Sequence, residues 1–350
     1  MRKKSIFKYM LILLLISVSA IIGLDNKVEA SGKEMETMEP PKDTIYPSYS
    51  VEEFLKIDAK LMKYDAKTGE TTEVNKEELV RQIEDNTKLN RQPFNSLPAY
   101  FPDMKNNYKT MDFRKKLSSS INSAEKITDT SVPRYRGTCR IEAQSIDNVN
   151  KMMTGSGFLV GPNLAITAAH CVFDGNKNNQ GYPNWTIFAA YNNHIYGDAD
   201  VCGWKQVYYY DTWMNTHDYN FDIALCVLEA DVGEQVGYYG LRVYSSDSAL
   251  QGTRVDLQGY PSNEAEGFTE GGYYQYKTSG TVTSVSPRAF EGDYYSTNGF
   301  SGGPVLPSDN PYVVLGVHTA SKGLFNKKSI SVRISQDLSD LVANLRQNKP

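Results

Sequence analysis

Histidine and cysteine are both scarce, with four of each in 350 residues. Between Ser31 and Lys116 there is no histidine, cysteine or tryptophan, so no nucleophile-and-base pair or thiolate chemistry is expected there. The four cysteines include no Cys-x-x-Cys pair and the histidines are scattered, which argues against zinc; no metal and no cofactor is expected. Charge is nearly balanced at −4, leaving no electrostatic basis for binding nucleic acid. Long apolar runs are missing except for Met10 to Leu24 behind Arg2, Lys3, Lys4 and Lys8. That run is shorter than the roughly 20 residues a membrane span needs. With small residues in Val28-Glu29-Ala30, it reads as a signal peptide, residues 1–30. The expected product is secreted and extracellular, without membrane contact after signal removal.

Residues 31–116 read as a propeptide. Glu34 to Pro47 is rich in Glu and Pro, a composition that disfavours a packed core. Ser50-Val-Glu-Glu53 is a capping box that predicts a helix with Phe54, Leu55, Ile57, Leu61 and Met62 as its apolar stripe. Asp65 to Gly69 predicts a turn, and Asn75 a cap for a second helix with Leu79, Val80 and Ile83 on one face. So little apolar surface needs a partner to fold. Arg114-Lys115-Lys116 invites an activating protease to cut after Lys116, with self-cleavage at Glu125 as the alternative.

Three stretches carry the chemistry. In Asn298-Gly-Phe-Ser-Gly-Gly-Pro-Val305, glycines surround Ser301 and let the backbone approach a carbonyl closely. The amides of Gly299 and Ser301 are candidates for an oxyanion hole. In Leu164-Ala-Ile-Thr-Ala-Ala-His-Cys171, an apolar run delivers His170, the natural base for a hydroxyl. In Phe221-Asp-Ile-Ala-Leu225, Asp222 heads an apolar segment where a carboxylate needs a partner such as an imidazole N–H. Asp218 is the rival for that place, in a segment that looks like a loop. His194 and His217 read as ordinary loop residues.

These stretches, in the order His, Asp, Ser, resemble the three signatures of the chymotrypsin-like serine proteases. Within that group the chain is most similar to the secreted glutamyl endopeptidases of staphylococci and bacilli, from Leu117 onward. The resemblance implies an all-β fold of two six-stranded antiparallel barrels with a C-terminal helix, one protease domain over residues 117–350. Short runs such as Gly157 to Val160, Trp185 to Ala189, Val207 to Tyr210, Ile223 to Leu228, Arg254 to Leu257, Tyr273 to Tyr276 and Tyr312 to Val317 read as its strands. Leu338, Leu341, Val342 and Leu345 behind Ser335 read as the helix. Protein or peptide substrates and a monomer are expected.

The resemblance also implies specificity. The place where a trypsin-like pocket carries an acid is Tyr295, and the residue before the serine is Phe300 rather than aspartate. Cleavage after Lys or Arg is therefore disfavoured, and activation by that aspartate is excluded. Ser296, Thr297, His318 and the freed amine of Leu117 are instead expected to bind the carboxylate of a Glu side chain, less well Asp, because a buried anion needs charge-assisted donors. Export favours disulfides among Cys139, Cys171, Cys202 and Cys226, with three connectivities open and Cys226 also readable as a buried free thiol. The competing expectations are a serine protease of other specificity and a protease-fold binding protein.

Overall fold

The computed structural model describes residues 59–82, 96–102, 124–193, 201–244, 246–262, 268, 270–322 and 328–348. The signal peptide, the capping box at Ser50, Ile83, Lys116, Leu117 and His194 lie outside the described residues.

Ahead of the expected protease domain stand β1 (Leu61–Asp65), β2 (Thr71–Glu73) and β3 (Ser96–Leu97). Next come β4 (Glu125–Ile127), β5 (Thr138–Gln144), β6 (Met152–Gly161), β7 (Leu164–Thr167), β8 (Phe173–Asp174), β9 (Gln180–Gly181), β10 (Thr186–Ala189), β11 (Val201–Cys202), β12 (Trp204–Tyr210) and β13 (Ala224–Leu228). The rest are β14 (Gly240–Arg242), β15 (Arg254–Gly259), β16 (Gln275–Val285), β17 (Ala289–Gly292), β18 (Pro304–Pro307), β19 (Val313–Val314), β20 (Gly316–Lys322) and β21 (Lys328–Arg333). A C-terminal helix spans Gln336–Gln347.

Most strands alternate buried and half-exposed residues, as sheets with one covered face require. β7 and β13 are buried throughout, because both faces are covered where they run toward the site. The first sheet has the order β11-β10-β5-β6-β7-β13-β12-β1-β2. In the second, pairing of β15 with β16 closes β15, β18, β20, β21, β17 and β16 into a six-stranded ring. The first sheet is thus an open run of nine strands among the described residues, seven from the expected protease domain, one more than the six expected for a barrel, and two, β1 and β2, from the segment ahead of it.

The early segment differs from its sequence reading. Leu61 and Met62, expected on a helix, lie in β1, which pairs antiparallel with β12 from Leu61 opposite Tyr210 to Asp65 opposite Gln206. Helical spacing is a weak signal in so short a window, and the hydrogen bonds on the edge of β12 override it. The turn after Asp65 and the helix over 76–82 follow the pattern, with Asn75 Oδ1 accepting from the Glu78 amide at 3.0 Å. Leu79 and Val80 are buried in one cluster with Leu338, Leu341, Val342 and Leu345 of the C-terminal helix. Each such side chain removed from water contributes roughly 1.5–3 kcal/mol. Ser335 occupies the N-cap position of that helix, yet its hydroxyl accepts no bond from the first turn.

The expected disulfides are corrected, since none of the four cysteines forms a disulfide. Cys139 on β5 and Cys202 on β11 are separated by β10, about 10 Å across two strand spacings and beyond the roughly 7 Å a bridge tolerates. Cys226 is fully buried on β13 among apolar residues, and burial pushes its thiol pKa up.

Candidate active site

β7 ends at Thr167, whose hydroxyl donates to Ser156 O at 2.7 Å, and the chain turns through a short 3-10 segment, Ala169–Cys171. Ala168 and Ala169 are fully buried; their small size lets the turn press against the sheet while His170 projects. Trp185 Nε1 holds the Cys171 carbonyl at 2.9 Å. Asp222 follows another 3-10 turn, Tyr219–Phe221, capped by Asp218, which accepts from Asn220 N at 2.9 Å. Asp218, the rival for the orienting role, is thereby a cap.

His170 Nδ1 and Asp222 Oδ2 are 2.6 Å apart, and the His170 amide donates to Asp222 Oδ1 at 2.9 Å. Thr319 donates its hydroxyl to Asp222 Oδ2. An ionised carboxylate only accepts, so Nδ1 carries the proton and Nε2 is left to accept from a hydroxyl. Asp222 is buried whereas the His170 side chain is 36% exposed, an anchor and a working face. Burial opposes charge on His170, but the Asp222 carboxylate outweighs it and, with lesser help from Cys171, holds the imidazolium pKa well above the ordinary range. Burial likewise would raise Asp222, but the His170 charge and the bonds from His170 and Thr319 hold it below the usual carboxylate value.

Ser301 sits where two glycines are required. Gly299 has φ +93°, and a Cβ there would lie 2.4 Å from Tyr260 O; Gly302 has φ +84°, and a Cβ would lie 2.1 Å from Ser156 O. The segment is stitched to both sheets. Ser156 of β6 donates its amide to Ser301 O at 2.8 Å and its hydroxyl to Gly299 O at 2.7 Å, while Gly302 N reaches His318 O on β20 at 2.7 Å. Among the described residues, the amides of Gly299 and Ser301 donate to no backbone carbonyl, leaving them available to an oxyanion. His170, Asp222, Gly299, Ser301 and Thr319 line one cavity of about 600 Å³. The Ser301 hydroxyl makes no hydrogen bond to His170 among the described residues, and in unliganded sites such bonds are often long.

The residues expected to read the substrate lie elsewhere. Ser296 is buried, its hydroxyl 2.6 Å from those of both Ser321 and Ser329. Thr297 is half-buried, its carbonyl accepting from Phe300 N at 3.2 Å. His318 is 2% exposed, its Nδ1 has no partner, and its ring meets Tyr294 edge-on. Burial first, and the His170 charge second, push its pKa down to about 3 against the pull of Asp222. Neither Ser296 nor His318 lines the Ser301 cavity, whereas His217, read as an ordinary loop residue, does. His217 packs on Trp213 with Nε2 3.1 Å from Asn179 Oδ1.

Sequence reasoning missed two participants. Thr319 adjoins the motif residue His318 and is the extra residue of a bulge between His318 and Ala320 opposite β21, where a bulge re-aims a side chain; a hydroxyl beside a site histidine was the available signal. Ser156 had none beyond its flanking glycines. Thr319→Val is expected to lower kcat/KM about tenfold, because a hydrogen bond to a charged group contributes roughly 1.5 kcal/mol. Steady-state kinetics beside a melting curve would check this.

Comparison with known proteins identifies the family. The family model described as Trypsin matches residues 130–339. The chain belongs to the trypsin family, with its chymotrypsin-like all-β fold and C-terminal helix, and is a serine endopeptidase. It is 25% identical over 232 residues to a glutamyl endopeptidase of Bacillus licheniformis, covering 64% of this chain and 67% of that one. It is 28% identical over 234 residues to a Bacillus subtilis protein named extracellular metalloprotease, covering 63% and 67%. A solved Glu endopeptidase in complex with MPD superposes with a TM-score of 0.55 at 19% identity, covering 65% of this chain and 97% of that one.

Proposed function

We propose that this protein is a secreted, Glu-preferring serine endopeptidase made as a zymogen, in which residues 1–30 are a signal peptide, 31–116 a propeptide and 117–350 the enzyme. In this reading Ser301 Oγ attacks the peptide carbonyl, His170 Nε2 takes its proton and returns it to the leaving amine, and Asp222 orients the ring. The Gly299 and Ser301 amides receive the oxyanion, each donor contributing about 3 kcal/mol in comparable sites. Water then gives its proton to His170 Nε2 and attacks the acyl ester, and Ser301 Oγ leaves with that proton as the carboxylic acid product is released.

The observation that carries the specificity is the unpartnered Nδ1 of buried His318, which lies outside the lining of the Ser301 cavity but next to Thr319 of that lining and is bonded through its carbonyl to Gly302 N. An orphaned polar atom in that setting is costly, and a substrate carboxylate would both pair with it and stabilise its protonation. Tyr295 stacks on Phe268 at the place where a trypsin-like pocket would need an acid. The similar glutamyl endopeptidase from B. licheniformis supports the same preference. In this reading the pocket is completed when the cut after Lys116 frees the Leu117 amine. The alternative cut at Glu125 would fall in β4, already paired with β16 and salt-bridged to Lys277 at 2.8 Å.

One alanine inserted ahead of Leu117 should lower kcat/KM for a Glu substrate about 100-fold, since misplacing a binding group by an ångström or more has that order of effect. An unchanged rate would remove the amine from the pocket.

A further inference from the structure

We propose that residues 59–101, after the cut that frees the protease domain, stay on it as a non-covalent strand-donating subunit seated outside the catalytic cleft. This rests on the propeptide reading above. Three separate seams hold the segment. β1 completes the edge of β12, and its pairing is extended by Asp211 N to Lys60 O at 3.0 Å and Ala66 N to Lys205 O at 2.9 Å. β3 pairs antiparallel with β14, and Tyr100 and Tyr238 exchange backbone bonds of 2.9 and 2.6 Å. Leu79 and Val80 pack against the C-terminal helix, where Asn344 Nδ2 reaches Gln82 Oε1 at 3.2 Å.

The protease domain is shaped to this segment. A Cβ on Gly240 would meet the Leu97 carbonyl at 2.2 Å, and one on Gly237 would meet Phe101 Cδ1 at 2.3 Å. Gly240 needs no left-handed dihedral, since it is absent from the positive-φ glycines, so close approach of the segment is what its missing side chain serves. Arg346 divides its guanidinium, giving Nε to Val160 O at 2.5 Å and Nη1 to Pro98 O at 3.0 Å. Ala59, Leu61, Leu97, Ala99 and Phe101 are buried in the same core as Tyr239, Leu241 and Val314. Removing the segment would bare that core and leave β12 as an open edge, which proteins avoid.

None of the described residues of the segment lines the Ser301 cavity. The proposed cut after Lys116 falls between Pro102 and Ala124, so it severs the chain without touching any of the three seams. Retention therefore needs no refolding, and the described residues of the segment leave the Ser301 cavity unlined.

The test uses the full-length Ser301→Ala chain with a recognition sequence for a specific protease replacing residues 113–116, so that cutting frees Leu117. After cleavage, the two fragments are expected to co-elute on gel filtration at micromolar concentration and to appear as one complex in native mass spectrometry. Separation of a still-folded 117–350 fragment would overturn the proposal. Gly240→Val in the same chain should weaken retention at least tenfold, and unchanged retention would count against the seam. In the chain that keeps Ser301, tenfold excess of a 59–101 peptide should leave kcat/KM within twofold; tenfold inhibition would place the segment in the cleft and overturn the proposal. Because the site is engineered and the first readout is mass, a different natural cut or a different specificity would show separately, in the N-terminus and digest of the unmodified protein.

Discussion

Ser301→Ala is expected to lower kcat/KM by about 10⁴- to 10⁶-fold while leaving the fold in place. Ser301 lines the same cavity as His170 and carries the proposed nucleophile, so its loss removes the acyl-enzyme route. The residual rate would come from the amides and from substrate binding. Stability should change little. The contacts that anchor residue 301 are made by its backbone carbonyl, to Ser156 N and Cys171 Sγ, and alanine retains them. A shift within about 0.5 kcal/mol is expected. Circular dichroism, melting and single-turnover assays on the variant test both halves, and full activity in a correctly processed Ser301→Ala chain would remove Ser301 from the mechanism.

Asp222→Asn should cost roughly 10⁴-fold in kcat, because an amide in place of the carboxylate favours the tautomer whose Nε2 is already protonated and cannot accept from Ser301. It also changes the pH profile in a defined direction. In the wild-type chain Asp222 holds the His170 pKa above its ordinary value, so kcat/KM should rise with pH as the imidazolium loses its proton, with a midpoint above that of a free histidine. Without the anion, the residual activity should have its acid limb at lower pH. A limb that stays put would mean that another group sets His170. His318 should contribute no limb of its own near neutrality in the free enzyme, since it is held neutral down to about pH 3.

The candidate set of His170, Asp222 and Ser301, which line one cavity, was legible because the proposed chemistry restricts residue type. Only a few side chains can serve as nucleophile, base and orienter, and here each sits in a distinctive local setting: glycines around Ser301, small residues before His170, apolar residues after Asp222. The strands were legible for the same reason, though Tyr273 and Tyr274 fall before β16 and Leu315 interrupts the last run between β19 and β20. What escaped depended on tertiary partners. Leu61 and Met62 satisfy a helical spacing, and only the free edge of β12 makes them a strand. Thr319 and Ser156 are ordinary hydroxyl residues until the fold brings them to Asp222 and to the Gly299 carbonyl. The cysteines follow the chemistry of export, yet strand order keeps Cys139 and Cys202 two strands apart. His318 was legible only through family resemblance; its burial with an unpartnered Nδ1 is a property of the packed second sheet.

The most direct measurement is the intact mass of the matured protein together with its digest of an unstructured substrate, recording the residue before every cut. Cuts after Glu by an enzyme whose chain begins at Leu117 are the predicted result, with fewer after Asp. Cuts after other residues by that same enzyme would contradict the roles given to His318 and Ser296, and no cutting by the correctly matured chain would contradict the assignment of His170, Asp222 and Ser301 as its catalytic machinery.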